Sequence, residues 1–483
     1  MTNDPSRLVL VASNRGPVSF AFAEDGSLTA SRGGGGMVSG VMSGLAAIAC
    51  DVEVLWLCTA LSDADREAAR RGDRVVEPGD APVRMLDIPS DMFSAAYNGI
   101  ANSVLWFVHH LLFDTPNQPR FGPEFRRDWS CYMAYNAAFA DALAQECTAG
   151  TRVLIQDYHL ALAPRLLRER RPSARIAHFE HTPWAPPDYY RLLPDDIAVA
   201  ILDGMLGADH AGFLAGRWAA AFLDCCEAVL GARVTRGAGG AGQVRYRGRT
   251  TEVGVHPLGV DGTALRARGR QPDVSMHADA LAAMAHGRQL IVRVDRTELS
   301  KNIVRGLAAY RELLLTRPGW RGRVLHLAFA YPSRSELAEY REYTARVHEL
   351  ATGINAEFAT PDWEPLVLDV KDDYARSLAA CRIADVLLVN PLRDGMNLVA
   401  EEGPILSERG CALVLSREAG AAALIGDEAL LINPYDVTAT AEALHAALSM
   451  PAAERRRRAA MIAATASGRA PARWLTEQLD ALG

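Results

Sequence analysis

The sequence predicts an α/β chain made of two doubly wound parallel-sheet domains of about equal size. Three observations carry this. Short apolar runs bounded by polar residues, such as residues 385–389, have the unbroken hydrophobicity of strands buried on both faces. Those runs alternate with helical stretches, which implies parallel strands joined by crossover helices. The alternation begins twice, near Arg7 and again at Gln289, and 483 residues suffice for two such domains.

Composition narrows the function. Hydrophobic residues at 49% and charged residues at 23% fit a globular protein with sizeable cores. Lys plus Arg number 51 against 58 Asp plus Glu, a net charge of −7 that argues against general nucleic-acid or anionic-membrane binding. A local basic pocket for a phosphorylated substrate remains compatible with it. No apolar run approaches the ~18 residues of a membrane span, and the first residues, with Asp4 and a short apolar run, do not read as a signal peptide. Cys50, Cys58, Cys131, Cys147, Cys225, Cys226, Cys381 and Cys411 lack CxxC or zinc spacing. Reduced thiols of a cytoplasmic protein are expected.

In chain order, residues 7–12 form the first strand, broken by Ser13-Asn14-Arg15-Gly16-Pro17. A hairpin turning at Glu24-Asp25-Gly26 leads to Gly33-Gly34-Gly35-Gly36. Four glycines before a helix allow close backbone approach to an anion, and a flexible loop explains them equally well. They are no dinucleotide fingerprint, because about twenty residues separate them from the first strand. Strands are expected at 53–58 and 83–88, then an aromatic and amide-rich segment at 96–106, then strands at 152–156 and 175–180. Arg15, Asp157 and His181 each follow a strand end, where open α/β sheets collect ligands. Singly, Asp157 could be a helix cap and His181 a core residue; together they point to a cleft.

Residues 235–248, rich in Gly and Arg, read as a hairpin tip or mobile loop. Residues 256–261 read as the crossing between domains 1–255 and 256–469, with a last helix near 470–483 closing back onto the first. The second series has strands at 289–294, 323–329, 385–389, 412–416 and 429–434. The run Arg455 to Arg458 reads as a solvated helix face. Its centre is 389–402, VNPLRDGMNLVAEE: a buried strand, a glycine turn and a helix start. Free N–H groups and the helix dipole favour negative charge there. Asp394 in the turn can accept sugar hydroxyls, and Glu402 one turn on can hold a ribose diol. An ordinary βα turn is the plain alternative.

These residues bring the chain close to a known family. SNR at 13–15, GGMVSG at 35–40, YNGIANSVLW at 97–106, QDYHL at 156–160, HFEHTPW at 178–184, DRTELSKN at 295–302, PSR at 332–334 and PLRDGMNLVAEE at 391–402 fall in family order. Through nearly its whole length the chain resembles the trehalose-6-phosphate synthases, retaining glycosyltransferases of family 20. The resemblance implies a GT-B fold, two Rossmann-like domains facing across a cleft. It implies transfer of glucose from a nucleotide-glucose to glucose 6-phosphate without metal or cofactor. A homo-oligomer is compatible with it.

By the same resemblance Arg15, Tyr97, Trp106 and Arg334 would hold the acceptor phosphate end, and Asp157 the acceptor hydroxyls near the reacting centre. His181, Asp394, Gly395, Met396 and Asn397 would hold the donor glucose. Gly36, Arg296, Lys301, Leu398 and Val399 would hold the diphosphate, and Glu402 the ribose. Catalysis would rest on Asp157, His181, Arg296, Lys301 and Asp394. A pseudo-glycosyltransferase joining a nucleotide-activated cyclitol to an aminocyclitol phosphate, a non-catalytic nucleotide-sugar sensor and a dinucleotide-dependent oxidoreductase are the alternatives.

Three departures stand out. Asn302 replaces the glycine that follows the lysine in the family's LDYSKG, the glycine loop is longer and carries Arg32, and Pro404 sits where a helix should continue. In the segment 366–374, which aligns with the base-flanking loop of relatives, Asp372 stands where uridine users carry an apolar or aromatic residue. A carboxylate there can accept N1–H and the exocyclic amine of guanine together, which predicts GDP-glucose over UDP-glucose, as in an actinobacterial-like branch. Helix capping by Asp372 and Asp373 is the plain alternative.

Overall fold

The computed structural model describes residues 8–32, 36–48, 52–72 and 81–483. The chain separates into two compact units, Met1–Leu258 with Pro471–Gly483, and Gly259–Ala470.

The first unit carries strands β1 (Leu8–Ala12), β2 (Val18–Phe22), β3 (Leu28–Arg32), β4 (Glu53–Thr59), β5 (Val83–Leu86), β6 (Arg152–Gln156), β7 (Arg175–Glu180), β8 (His210–Phe213), β9 (Arg233–Arg236), β10 (Gly242–Tyr246) and β11 (Arg249–Val255). Its main sheet runs β5-β4-β1-β6-β7-β8-β11-β10-β9, parallel from β5 to β11 and antiparallel beyond; β2 and β3 form a separate hairpin. From β1 the chain winds outward to β4 and β5, then returns to start again at β6. The order therefore reverses between β1 and β6. Val9, Leu10, Val11 and Ala12 are all fully buried, as a central strand covered on both faces requires.

The Gly- and Arg-rich stretch 235–248 is not a mobile loop. It belongs to the β9–β10 hairpin, paired from Arg233↔Arg245 to Arg236↔Gly242, and Arg236 is held at 2.7 Å by both Asp224 and Glu227. Between β5 and β6 the aromatic and amide-rich segment forms a π-helix, Ala95–Leu105, followed directly by the α-helix Trp106–His110. The helix Pro123–Glu146 packs on it at Gly99, where a Cβ would lie 2.2 Å from an Asp128 carboxylate oxygen. The last helix, Pro471–Asp480, packs on Gly36–Ile48; a Cβ on Gly44 would meet that of Leu475 at 2.6 Å. Gly33, Gly34 and Gly35 lie outside the described residues, and Gly36 opens the helix.

The second unit carries β12 (Gln289–Arg296), β13 (Val324–Tyr331), β14 (Leu366–Asp369), β15 (Val386–Val389), β16 (Ala412–Ser416) and β17 (Leu430–Ile432). All are parallel, in the order β14-β13-β12-β15-β16-β17. The order reverses between β12 and β15. Leu290, Val292, Leu387 and Val389 pack into the core on one face, and Ile291, Val386 and Leu388 into the core on the other. Each such side chain contributes about 1.5–3 kcal/mol by burial.

One expectation changes here. Residues 366–374 are not one loop: they begin with the edge strand β14, and the α-helix Tyr374–Ile383 starts at their end. Pro404 lies inside the helix Val399–Leu406, which ends early, two residues beyond it. The missing N–H removes one hydrogen bond only, and Ser407 N–H still closes the last turn on the Gly403 carbonyl at 2.9 Å. No helix among the described residues is long and apolar enough to cross a membrane.

Candidate active site

In each unit the chemistry-bearing loops follow the two strands that flank the reversal of strand order, the place where such sheets bind ligands. In the second unit these are the loops after β12 and β15. Arg293, on β12, is fully buried; its guanidinium donates to Asp295 at 2.7 Å and to the Lys301 carbonyl at 3.1 Å. It fits beneath the helix Ile303–Thr316 because residue 306 is glycine, whose Cβ would stand 2.4 Å from Nη1. Lys301 is thereby carried to the β15 loop, where Nζ lies 2.5 Å from Asp394 Oδ2. The same carboxylate oxygen accepts from Asn397 Nδ2 at 3.0 Å. Burial opposes the lysine charge, but the Asp394 and Asp295 carboxylates outweigh it and raise its pKa.

The Asp394 loop is clamped by the next one. Asp394 N–H donates to the Glu418 carbonyl, and Gly420 and Ala421 N–H donate back to Asp394 and Met396. A Cβ on Gly420 would collide with the Gly395 carbonyl at 1.9 Å, so these backbones touch. Asn397 takes φ +71°, and Leu398 then caps the helix in which Val399 is the first residue. Glu402 sits one turn in, and burial pushes its carboxyl up to about 7.

Asn302 is explained by its backbone. Its φ of +57° lies in the left-handed region, which glycine and asparagine enter at least cost. Its side-chain amide also donates to the carbonyls of Asn390 (3.0 Å) and Pro434 (2.8 Å), tying three loops together.

Arg296 and Arg334, assigned by resemblance to different substrates, meet on one carboxylate. Glu298 is fully buried; Oε1 accepts from Arg296 (2.9 Å) and Ser333 (3.0 Å), and Oε2 faces Arg334 at 3.4 Å. Burial alone would raise its pKa, but Arg296, Arg334 and Lys301 reverse that and hold it at about 2. Arg296 is half exposed and Arg334 is nearly covered, its guanidinium also on the Tyr340 hydroxyl at 2.6 Å. Sequence reading missed Glu298, although it stands between Arg296 and Lys301. Asp372 is not brought to this cluster: it is exposed, and Asp373 is the residue that caps the following helix, accepting from Arg376 N–H at 3.0 Å.

In the first unit the corresponding loops follow β1 and β6. Arg15 is exposed after β1, its carbonyl fixed by Ser13 Oγ at 2.6 Å. Asp157 follows β6 at φ +75°, with its N–H on the Phe179 carbonyl at 2.7 Å. Burial would raise its pKa, but His159, 3.5 Å away, draws it below the usual carboxylate range. His181 follows β7. Its Nε2 lies 2.9 Å from Gln156 Oε1, which can only accept, so the proton is on Nε2; burial lowers the ring to about 4 and keeps it neutral. Tyr97 and Trp106, at the two ends of the π-helix, stack on His159 (5.5 Å) and lean on Tyr158 (5.9 Å). His159 and Glu180 are the neighbours of Asp157 that the sequence reading did not single out.

Two doubly wound units in one chain, the second with a buried lysine bonded to a strand–turn–helix start and a half-exposed arginine on the neighbouring Glu298, define a glycosyltransferase of the GT-B fold. The sequence profile described as glycosyltransferase family 20 matches residues 7–483. The chain belongs to that family. It is 33% identical over 481 residues to the trehalose-6-phosphate synthase of Mycobacterium avium, covering 98% of this chain and 94% of that one. It is 32% identical over 439 residues to the validamine 7-phosphate valienyltransferase of Streptomyces hygroscopicus, covering 89% and 86%. A probable alpha,alpha-trehalose-phosphate synthase (UDP-forming) of Arabidopsis thaliana is 32% identical over 455 residues, 93% of this chain. The chain spans only 54% of that relative, 63% of a bifunctional synthase/phosphatase of Thermoproteus tenax and 47% of a second Arabidopsis synthase. Among solved structures, one from E. coli bound with UDP-2-fluoro glucose is 27% identical with a TM-score of 0.84, covering 98% of each chain. The Burkholderia xenovorans synthase in complex with glucose-6-phosphate is 27% identical with a TM-score of 0.85, covering 99% and 100%.

Proposed function

We propose that this chain transfers glucose from a nucleotide-glucose to glucose 6-phosphate with retention, giving alpha,alpha-trehalose 6-phosphate, and that it prefers GDP-glucose to UDP-glucose. The observation that carries the reaction class is the Lys301–Asp394 pair at the strand-order reversal of the second unit, with Arg296 close by on Glu298. Departure of a nucleoside diphosphate places negative charge on a phosphate oxygen. Two cations, Arg296 and Lys301, and the N–H groups at the start of helix Val399–Leu406 would stabilise such charge. Asp394, with Gly395, Met396 and Asn397, would hold glucose hydroxyls, and Glu402 the ribose.

In this reading most acceptor contacts come from the first unit and most donor contacts from the second. Arg15, Tyr97, Trp106 and Arg334 take the phosphate end of glucose 6-phosphate. Asp157 takes its hydroxyls, and neutral His181 the donor glucose. The acceptor hydroxyl attacks on the face from which the diphosphate leaves, and its proton goes to the departing phosphate oxygen. Lys301, bonded to Asp394 before substrates arrive, is shared with the diphosphate once it is bound.

Asp372 supports the base preference. With Asp373 occupied as the helix cap, Asp372 stays exposed and available to two adjacent N–H donors of guanine. The match to a valienyltransferase keeps a cyclitol acceptor as a second reading, in which the same cations serve C–N bond formation. One experiment tests both. Glucose 6-phosphate is incubated with GDP-, UDP- and ADP-glucose, with wild type and Asp372→Ala. Trehalose 6-phosphate should form fastest from GDP-glucose, with a margin of about ten- to a hundredfold that shrinks in the variant. A preference for UDP-glucose, or an unchanged ratio, removes the role of Asp372; no disaccharide from any donor favours the cyclitol reading.

A further inference from the structure

Glu180 is the last residue of β7 and is fully buried, and nothing in the reaction described above uses it. Its Oε1 is satisfied: it accepts from the N–H of Thr182 at 3.0 Å and from the Thr182 hydroxyl at 2.7 Å. Its Oε2 is buried without a hydrogen-bond donor, and so is Oδ1 of Asp157. The ladder brings these two carboxyls together. In the β6–β7 register Gln156 pairs with Phe179, so Asp157 and Glu180 are the next residues on adjacent parallel strands. Asp157 N–H on the Phe179 carbonyl extends that ladder one step, and the two side chains lie within hydrogen-bonding reach.

Two buried acceptor oxygens facing each other are costly without a proton and satisfied with one. We propose that Asp157 and Glu180 share a single proton, and that Glu180 is a positioning residue that holds Asp157 in its strained backbone conformation for the acceptor. This rests on the reading of Asp157 as the group that receives acceptor hydroxyls. The proton belongs on Glu180. Around the pair stand His159 and His181 on the Asp157 side, His178 with Nε2 4.0 Å from Glu180 Oε2, and the buried hydroxyl of Tyr132. His159, 3.5 Å from Asp157, favours charge there, whereas burial and the charge of Asp157 drive the Glu180 carboxyl well above its ordinary value. His178 is kept neutral by burial and supplies no counter-charge. Asp157 therefore carries the charge, and Glu180 donates its O–H. The second Asp157 oxygen, Oδ2, lies 3.5 Å from His159 Nδ1, so substrate hydroxyls would meet it beside that ring.

Such a pair loses its proton in a single macroscopic step on the alkaline side, leaving two adjacent buried charges. The test is the pH dependence of kcat/KM for glucose 6-phosphate in wild type, Glu180→Gln, Glu180→Leu and Asp157→Ala. Glutamine keeps a donor at that position but has no proton to lose. Glu180→Gln should stay within about threefold of wild type near neutrality and lack the alkaline fall. Glu180→Leu should lose about ten- to a hundredfold by misplacing Asp157. The infrared difference spectrum of wild type minus Glu180→Gln should show one protonated carboxyl band at neutral pH over and above that of Glu402, a readout that holds even where the leucine variant does not fold. The same alkaline fall in Glu180→Gln, or no protonated carboxyl band in the wild-type minus Glu180→Gln difference, overturns the shared proton. Wild-type acceptor kinetics in Asp157→Ala instead overturns the acceptor reading, and the infrared band then still decides the pair.

Discussion

Replacing Lys301 by alanine should do two separable kinds of damage. The ammonium lies 2.5 Å from Asp394 Oδ2, with only 15% and 16% of the two side chains exposed. Breaking a buried pair by removing one partner costs about 3–5 kcal/mol, because the other charge stays buried. The residual exposure, and the Asn397 amide that still reaches Asp394, place this case near about 3 kcal/mol. Removing Asp394 as well deletes the stranded charge, so the double variant should be less destabilised than the sum of the two single ones by about 1–3 kcal/mol. Urea denaturation of the four proteins measures this. Turnover is a different quantity. A charge-assisted contact to a leaving diphosphate is worth about 3–4 kcal/mol, so Lys301→Ala should lower kcat by about two to three orders of magnitude at temperatures where it remains folded. Additive stabilities would refute the pairing, and near-normal kcat in a folded variant would refute the catalytic role.

Three further outcomes are expected. The Glu402 carboxyl, raised to about 7 by burial, should accept the ribose diol only when ionised, so donor KM should fall as pH rises through about 7, and Glu402→Gln should flatten that profile. Arg334→Ala should raise KM for glucose 6-phosphate while free glucose competes better in relative terms; because Arg296 and Lys301 still hold Glu298 ionised, donor KM should shift less than acceptor KM. Asn302→Gly should keep the backbone turn but lose two buried hydrogen bonds, about 2 kcal/mol in denaturation, and Asn302→Ala should cost about 1–2 kcal/mol more because φ is +57°.

What the sequence made legible followed from hydrophobic patterning. Val386 to Val389 and Val9 to Ala12 are unbroken apolar runs, and the loops carrying Arg15, Asp157, Arg296 and Asp394 were placed simply by following each strand to its end. Strands β8 (HAGF) and β14 (LVLD) are short and each carries a polar residue, so neither shows as an unbroken apolar run. The π-helix was invisible because an i→i+5 repeat leaves no familiar period in the sequence. Glu298 and Glu180 were hidden for another reason. A carboxylate at a strand end normally turns to solvent, and only three-dimensional neighbours show that these two turn inward, one onto two arginines and the other onto a second carboxyl.

The π-helix has a consequence for which chain lengths this segment can tolerate. Tyr97 and Trp106 are nine residues apart. In an α-helix of 3.6 residues per turn, nine residues make two and a half turns and put the two rings back to back. A hydrogen-bond repeat of i→i+5 widens the coil to about 4.4 residues per turn, so nine residues make about two turns and the rings share a side. Both then reach the adjacent pair Tyr158 and His159. The widened coil acts as a phase corrector, and the spacing of these aromatics carries meaning only while the coil is kept. Deleting one residue between them, or letting the segment relax to an ordinary helix, would swing one ring away while leaving every residue type in place.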